Sequence, residues 1–528
     1  MTLYIYIALF YLALSGALRH DVQMFQQNSY RYNRYFRWLK LNLWRVEIWK
    51  CVPILVSIII SVLLVCLSNS ESWKVLFIAL SLGYAINSRV EFRKEFKVKI
   101  AYTDRVKRLL FSSLLVSTIL FGSAYLRLEP FQFAVTSSLI IILSNFILLL
   151  ANFLNSPVER AITNWYINDA RKIISSRPDL IIIGVTGSYG KTSTKNYLYR
   201  MLTEKYNVLV TPGNYNTLLG VVRTIREQLR PQHQIFIVEM GAKQQGDIKE
   251  ICDLVHPSIG IVTSVGEAHL ETFKSVENIQ KTKFELIDSL PKEGLGVINF
   301  DSESIRNYDF SAECNIVSYS VVDATARMQA QDVSYNAAGV SFSLLLNNEE
   351  IGFKSPLLGG GNVLNLVAGI AVASHLGVAP KLLQRSIKQM QIVEHRLSMS
   401  KVGGLTILDD AYNSNPTGAK MALEVLRDFT RMEGAQRVVV TPGFVEMGVN
   451  QASANYTFGC QIATSVDYAV IVNKINRDAI VRGLVDSGFD EDSYFVANSL
   501  NEARAHLASR LKVGDIVLYE NDLPDSLK

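Results

Sequence analysis

Cysteine is scarce in this chain and follows no pattern. Only five of 528 residues are cysteine, namely Cys51, Cys66, Cys252, Cys314 and Cys460. None has a close partner at the spacing of a zinc knuckle or a redox pair, so reduced thiols and no zinc site are expected. Excess charge is also lacking: 53 Lys and Arg stand against 48 Asp and Glu, a balance that gives no argument for nucleic acid. No basic residue precedes the first apolar run, which speaks against a cleavable signal peptide. Internal repeats and low-complexity tracts are missing. Beyond residue 154 no long hydrophobic run occurs.

Before residue 154 such runs dominate and lift the mean hydropathy to +0.18. They are Leu3–Leu18, Val52–Leu67, Val75–Ile86, Leu109–Leu126 and Phe131–Leu154, and a helix needs about 20 apolar residues to cross a bilayer. Val75–Ile86 is short for that, but charge decides how to read it. Arg31, Arg34, Arg37, Lys40, Arg45 and Lys50 lie in one connecting loop; Arg89, Arg93, Lys94, Lys97, Lys99, Arg105, Lys107 and Arg108 lie in another. Basic loops stay on the cytoplasmic side, and both can do so only if Val75–Ile86 crosses. The expectation is an all-α transmembrane region over 1–154 with five spans and the N-terminus outside. The protein is then multi-pass in the cell membrane, with everything from Asn155 in the cytoplasm. The basic loops form a collar able to touch anionic membrane lipid. The runs themselves hold no Asp, Glu, Lys, Arg or His, which argues against a transport path.

The length suggests about three domains. A polar helical connector is expected at 155–178, with Trp165 and Tyr166 in it. Short apolar runs then alternate with helical stretches: LIIIGV, NVLVT, QIFIVEMG, IGIVTSV and LGVINF. Strands separated by helices of this size predict an α/β domain with a mostly parallel sheet, taken as 179–392. Strand-like alternation occupies Ala326–Phe353, and a helix is expected at Asn362–Leu376. The alternation restarts with LTILDD, VVVTPG, YAVIV, YFVAN and DIVLYE, predicting a second, smaller Rossmann-like α/β domain over 393–528.

The chemistry begins at residues 184–194, GVTGSYGKTST. A turn of small residues between a strand and a helix offers backbone N–H groups and a helix N-terminus to phosphate oxygens. Thr186, Gly187, Ser188, Tyr189, Gly190 and Ser193 would form this ATP cradle. Lys191 would reach the outer phosphates and Thr192 would ligate magnesium. Val185 stands where the eight-residue phosphate-loop pattern has its first glycine, so the motif is a variant. Ligands of open α/β sheets bind beyond the carboxyl ends of the strands, where Glu239 and His269 also fall. A carboxylate and an imidazole there suit a metal-assisted phosphate site; the plainer alternatives are a helix cap or surface acid for Glu239 and a loop histidine for His269.

TGSYGKTST, TPGNYNTLLG, VEMG, SVGEAHLE, KTKFELI, GGNVLNLVAGIAVA, EHRL and LDDAYNSNP occur in the order seen in the Mur ligases. The stretch 179–528 therefore resembles these ATP-dependent, amide-forming enzymes of peptidoglycan precursor synthesis, and LDDAYNSNP looks most like the member that adds D-alanyl-D-alanine. The resemblance implies two magnesium ions, held by Thr192, Glu239, His269 and Lys283. It implies that Lys283 reacts with CO2 to a carbamate; by composition alone Lys283 would be an ordinary exposed helical lysine. Asn362 and Asn365 match the segment contacting adenine, Arg396 an arginine near the γ-phosphate, and Asp410 a ribose or hinge contact. Asn214, Asn216, Thr217, Tyr412, Asn413 and Asn415 match substrate-binding positions. The implied catalytic set is Lys191, His269, Lys283 and Arg396.

Three features depart from the family pattern. The connector and membrane runs stand where a UDP-binding domain normally begins the chain. TPGF at Thr441–Phe444 replaces a Leu-Gly-Asp turn. The end, VLYENDLPDSLK, lacks a glycine-rich basic turn. Three readings follow. One is a membrane-anchored ligase joining D-Ala-D-Ala, or a similar amine, to a UDP- or lipid-linked peptidoglycan-precursor peptide. A second is a sibling ligase acting on another carboxylate, such as a polyglutamate or cofactor precursor. A third is a P-loop ATPase serving as a sensor or transport subunit, which would need neither Lys283 nor Arg396.

Overall fold

The computed structural model describes residues 2–28, 30–42, 52, 54–56, 58–59, 72–93, 99–267, 270–309, 312–336, 338–391, 396–411, 415–429, 431–445 and 447–522. The chain divides into two units between Trp165 and Tyr166.

The first unit is helical. Thr2–Gln27, the stretch Val75–Phe92 of helix Ser72–Arg93, and Asp104–Arg127 are each long and apolar enough to cross a membrane. The short run Val75–Ile86 is thus the middle of a longer helix. Phe131–Leu154, expected as one segment, is instead two helices, Pro130–Ile142 and Ser144–Ser175, bent by 69°. Leu143 between them leaves helical geometry at φ −94° and ψ 20°, and Asn145 turns its side-chain oxygen onto the Phe146 N–H at 3.1 Å. A side chain that competes for a helix N–H in this way is a recognised cause of a kink. Counting the bent pair as one span gives up to four spans among the described residues; Val52–Leu67 falls largely outside them. The connector Ser156–Arg177 is mostly the continuation of helix Ser144–Ser175. Inside the unit the Tyr84 hydroxyl pairs with Ser138 Oγ at 2.9 Å and Tyr6 with Ser137, so these buried polar groups satisfy one another. His20, Asp21 and Glu91 are buried where two helices run on past their apolar stretches.

The second unit holds a seven-stranded sheet built from β1 (Ile181–Thr186), β2 (Val208–Val210), β3 (Ile235–Glu239), β4 (Ile259–Val262), β5 (Leu295–Asn299), β6 (Asn315–Ser320) and β7 (Met328–Gln329). Its order is β2-β3-β1-β4-β5-β6-β7, parallel throughout. Both faces are covered, which is why the strands read as unbroken apolar runs. Ile183, Val185, Ile235 and Ile237 point to one face, against helices Lys191–Leu202 and Gly360–His375. Ile182, Phe236 and Val238 point to the other, against helices Leu218–Gln228, Asp247–Val255 and Val276–Asp288. The alternating stretch forms a three-stranded antiparallel sheet of β8 (Gln331–Asn336), β9 (Gly339–Leu346) and β10 (Glu349–Ser355). Its Val340, Phe342 and Leu344 join the first of those cores.

A second large sheet, of six strands, follows, made of β11 (Ser398–Val402), β12 (Leu405–Asp410), β13 (Arg437–Thr441), β14 (Tyr468–Val472), β15 (Tyr494–Ala497) and β16 (Ile516–Glu520), in the order β11-β12-β16-β13-β14-β15. Only β11 runs antiparallel to its neighbour. The TPGF turn leaves β13 here. Phe444 is buried against Phe458, and the Asn476 amide donates to the carbonyls of Pro442 and Phe444 at 2.9 and 2.8 Å.

Candidate active site

The chain order sends β1 to the middle of the first sheet, with β3 on one side and β4 on the other. Such a switch point leaves a crevice beyond the carboxyl ends of the strands. Val185 is still inside β1, paired with Glu239 on β3 and Ile261 on β4. The turn therefore starts later than in the usual phosphate loop, which accounts for the missing first glycine. It runs over Gly187–Gly190. Gly187 has φ +150°, and a Cβ there would lie 2.0 Å from Thr263 Oγ1; Gly190 has φ +79°, and its Cβ would lie 2.6 Å from Asn365 Oδ1. The backbone thus approaches its neighbours closer than any side chain permits.

The loop after β4 pins this turn. Ser188 N donates to Ser264 O at 2.8 Å and Tyr189 N to Ser264 Oγ at 2.8 Å. Gly266 N donates to Ser188 Oγ at 3.0 Å, and the Thr263 hydroxyl donates to Tyr189 O. Thr186 Oγ1 donates to Met240 O at 2.9 Å, and Ser193 is buried in the first turn of the helix. Helix Lys191–Leu202 opens at Gly190, with its first N–H groups at the turn, where an anion is stabilised. Lys191 Nζ curls back onto Gly187 O at 2.6 Å and Ser188 O at 3.1 Å. Burial pushes its ammonium down to about 8; the Glu239 charge opposes this and Arg396 reinforces it.

Glu239 ends β3 and is 1 % exposed, which excludes the surface-acid alternative. Its oxygens accept from Thr192 Oγ1 at 3.1 and 3.2 Å, from Asn216 Nδ2 at 3.0 Å and from Lys195 Nζ at 3.0 Å. Burial alone would raise its pKa, but the charges of Lys195 and Lys191 and the Asn216 hydrogen bond outweigh it and hold it below the ordinary value. Thr192 and Glu239 meet as expected. Asn216 joins them through the carboxylate, and Lys195, which the sequence reading did not single out, completes the group. The available signal was its place four residues after Lys191, on the same helix face.

Lys283, on helix Val276–Asp288, is 3 % exposed. It is not the exposed helical lysine that composition alone suggests. Burial pushes its amine down to about 7; the Lys191 charge adds to this, and Glu285 and Asp247 oppose it. A lysine neutral near pH 7 is a nucleophile. On the helix Gly360–His375, Asn362 Oδ1 accepts from the Tyr197 hydroxyl at 2.8 Å and Asn365 Oδ1 from Thr194 Oγ1 at 3.1 Å. Both asparagines therefore border the helix that carries Lys191.

From the second sheet, Asp410 ends β12 and accepts from Leu397 N at 3.0 Å. Burial pushes its carboxyl up to about 6; Arg396 and the Leu397 N–H oppose this, and Asp409 adds to it. Arg396 thus bears electrostatically on both Lys191 and Asp410. Asn450 Nδ2 donates to Glu267 Oε1 at 3.2 Å, joining the second sheet's domain to the loop that pins the phosphate turn. Asn214 is exposed in the loop after β2. Thr217 and Asn415 serve as helix N-caps, accepting from Gly220 N at 3.4 Å and Gly418 N at 2.8 Å. His269, Tyr412 and Asn413 lie outside the described residues.

Hard oxygen donors, the Thr192 hydroxyl and the Glu239 carboxylate, suit magnesium, which completes its shell with waters and substrate phosphates. Among the described residues no group of three or more His, Cys, Asp or Glu is placed to hold a metal. The arrangement can bind a nucleoside triphosphate end-on at the turn and neutralise its outer phosphates.

Comparison with known proteins follows the same two sheets. Residues 185–373 match the Mur ligase middle domain, and residues 395–519 match the Mur ligase glutamate ligase domain. The UDP-N-acetylmuramoyl-tripeptide–D-alanyl-D-alanine ligase of Bacillus subtilis is 29% identical over 344 residues, covering 64% of this chain and 72% of the relative. Its counterpart in Mycobacterium tuberculosis is 30% identical over 361 residues, covering 65% and 70%. The crystal structure of MurF from Thermotoga maritima in complex with ADP superposes with a TM-score of 0.60 at 24% identity, covering 68% of this chain and 80% of that one.

Proposed function

The chain belongs to the Mur ligase family, and from that premise we propose that this ATP-dependent peptide ligase adds D-Ala-D-Ala, or a similar amine, to a peptidoglycan-precursor peptide. The observation that carries the reading is the group at the switch point: Lys191, Thr192 and Glu239 beside a pinned phosphate turn, with Lys283 buried and close to neutral. Relatives named for that reaction support the choice of substrates.

Forming an amide from a carboxylate requires an activated acyl group. The γ-phosphoryl group of ATP passes to the peptide carboxylate, giving an acyl phosphate and ADP. The amine then attacks the acyl carbon and phosphate leaves. The turn amides and Lys191 orient and neutralise the transferring group, where positioning and electrostatics do most of the work. Thr192 and Glu239 would hold one magnesium ion, joined by His269, and Lys283 as a carbamate would supply a carboxylate for a second; these ions would offset phosphate charge. Asn362 and Asn365 would face the adenine, while Asn214, Asn216, Thr217, Tyr412, Asn413 and Asn415 would line the acyl and amine substrates. The domain over 393–528 would close on that over 179–392, bringing Arg396 and Asp410 to ATP and excluding water from the acyl phosphate.

The apolar helices within 1–154 support a second feature: anchoring in the cell membrane as a multi-pass protein, with the ligase domains in the cytoplasm and five spans when Val52–Leu67 is included. The names of the relatives point to a UDP-linked peptide; a lipid-linked form is the alternative, for which tethering would raise the effective concentration of a membrane-borne partner. The test is ligation by the purified full-length chain with ATP, D-Ala-D-Ala and either UDP- or lipid-linked tripeptide, following ADP and product mass. Product formation coupled to ADP is expected. ADP release that is indifferent to the amine would sink the ligase reading and favour the ATPase.

A further inference from the structure

Lys195 lies one turn beyond Lys191 on the helix that opens at the phosphate turn, and it is 1 % exposed. Its Nζ donates to Thr211 O at 2.9 Å, Gly213 O at 2.9 Å and Glu239 Oε2 at 3.0 Å. An ammonium has three N–H donors, so all three are engaged and none is left for a ligand. The acceptors come from two places: the carbonyls from the loop after β2, the carboxylate from the end of β3. The same loop meets β3 and the residue pair after it at four further points: Thr211 N donates to Ile237 O at 3.1 Å and Glu239 N to Thr211 Oγ1 at 3.0 Å, and two more involve Asn216. Asn216 Nδ2 donates to Glu239 Oε1 at 3.0 Å, and Gly241 N donates to Asn216 O at 2.7 Å.

We propose that Lys195 is a positioning residue that ties the Glu239 carboxylate to the Thr211–Thr217 loop, so that the cation end and the acyl-substrate end of the site move together. This rests on the ligase reading above, in which Glu239 faces the nucleotide's cation and that loop faces the acyl substrate. With Oε2 held by Lys195 and Oε1 by Asn216, the Thr192 hydroxyl is the Glu239 contact that a cation would replace. Any shift of Glu239 toward a cation then pulls on two loop carbonyls through one ammonium. A buried ion pair adds little net stability over an apolar pair of similar shape. What it supplies here is a three-point link between two loops, and linkage of this kind is reciprocal between ligands.

The test uses the full-length chain and the Lys195→Met variant, which keeps the bulk and removes the donors. Amide hydrogen exchange across Thr211–Thr217 should quicken about tenfold or more, with exchange in the strands of the sheet unchanged. ADP affinity measured in EDTA should stay within about threefold of the parent. KM for the acyl substrate should rise about tenfold, and KM for ATP less than about threefold. Unchanged exchange in the loop overturns the proposal. So does parallel weakening of both substrates with a general rise in exchange, which marks a purely structural lysine. Should Lys195→Met fail to fold, Lys195→Met/Glu239→Gln removes both charges; a loosened loop in that variant supports the proposal and parent-like protection overturns it. If no acyl substrate turns over in the parent, the ligase reading fails, while exchange and metal-free ADP binding still decide the role of Lys195.

Discussion

At the scale of single residues, Lys283 carries the sharpest consequence. Its amine sits near pKa 7 because burial disfavours the ammonium and Lys191 repels it. An unfolded lysine keeps its proton to about pH 10.4, so between about 7 and 10.4 the folded state binds fewer protons and stability rises with pH. Below about 7 that advantage is gone, because both states are then protonated. Only the neutral amine captures CO2. The neutral fraction at pH 6 is about one tenth of that at pH 8, and forming the carbamate anion also releases a proton, so the CO2 level giving half-maximal ligation should be roughly a thousandfold higher at pH 6 than at pH 8. Rates in degassed buffer with graded bicarbonate at the two pH values check this; a requirement that does not move with pH contradicts the carbamate. Lys283→Ala should lower ligation by about 100-fold or more, with partial recovery in formate or acetate. Undiminished activity in the variant rules out the two-metal arrangement.

At the scale of elements, the central parallel strands of the second unit were legible because they are buried on both faces and so read as continuous apolar runs, and β8 to β10 from their alternation. LIIIGV became β1, QIFIVEMG became β3, and the helix expected at Asn362–Leu376 runs Gly360–His375. The phosphate turn was legible from its glycines and Lys191, and the pairing of Thr192 with Glu239 from their places after β1 and β3. Pairings between distant loops were not. The four-residue spacing in KTSTK puts Lys195 on the face of Lys191 but does not say that it reaches Glu239, and nothing in SVGE says that Ser264 and Gly266 hold the phosphate turn. Nor does the apolar run Phe131–Leu154 announce its 69° bend, since no Pro or Gly, the usual markers of a kink, interrupts it. The pinned turn has its own prediction. Gly187→Ala would place a Cβ 2.0 Å from Thr263 Oγ1 and 2.9 Å from Ser264 N, and must push the turn off the loop after β4. ADP affinity should fall by about 100-fold, roughly 2.7 kcal/mol. The melting temperature should drop by only about 2–4 °C. Calorimetric titration and a thermal scan separate the two; retained ADP affinity would mean the turn does not seat the phosphates.

At the scale of the whole molecule, the two units pose a question of division of labour. The second unit, Tyr166–Leu523, contains all three described sheets, their cores and all the described residues of the site. Ligation of a soluble acyl substrate should therefore need only that unit. The first unit holds helices long and apolar enough to cross a membrane, and a chain anchored through them would concentrate a membrane-borne substrate near the site. For a tether of this kind the enhancement is of the order of 100-fold or more. A chain beginning at Tyr166 should keep kcat/KM for UDP-linked tripeptide within about threefold of the full chain. With lipid-linked tripeptide in vesicles it should lose about 100-fold. Both rates are read as ADP release with full-length and shortened chains in the presence and absence of vesicles. Equal loss on both substrates would mean that the first unit supports the fold of the second. Equal retention on both would mean that it delivers no substrate, leaving the spans a task unrelated to ligation.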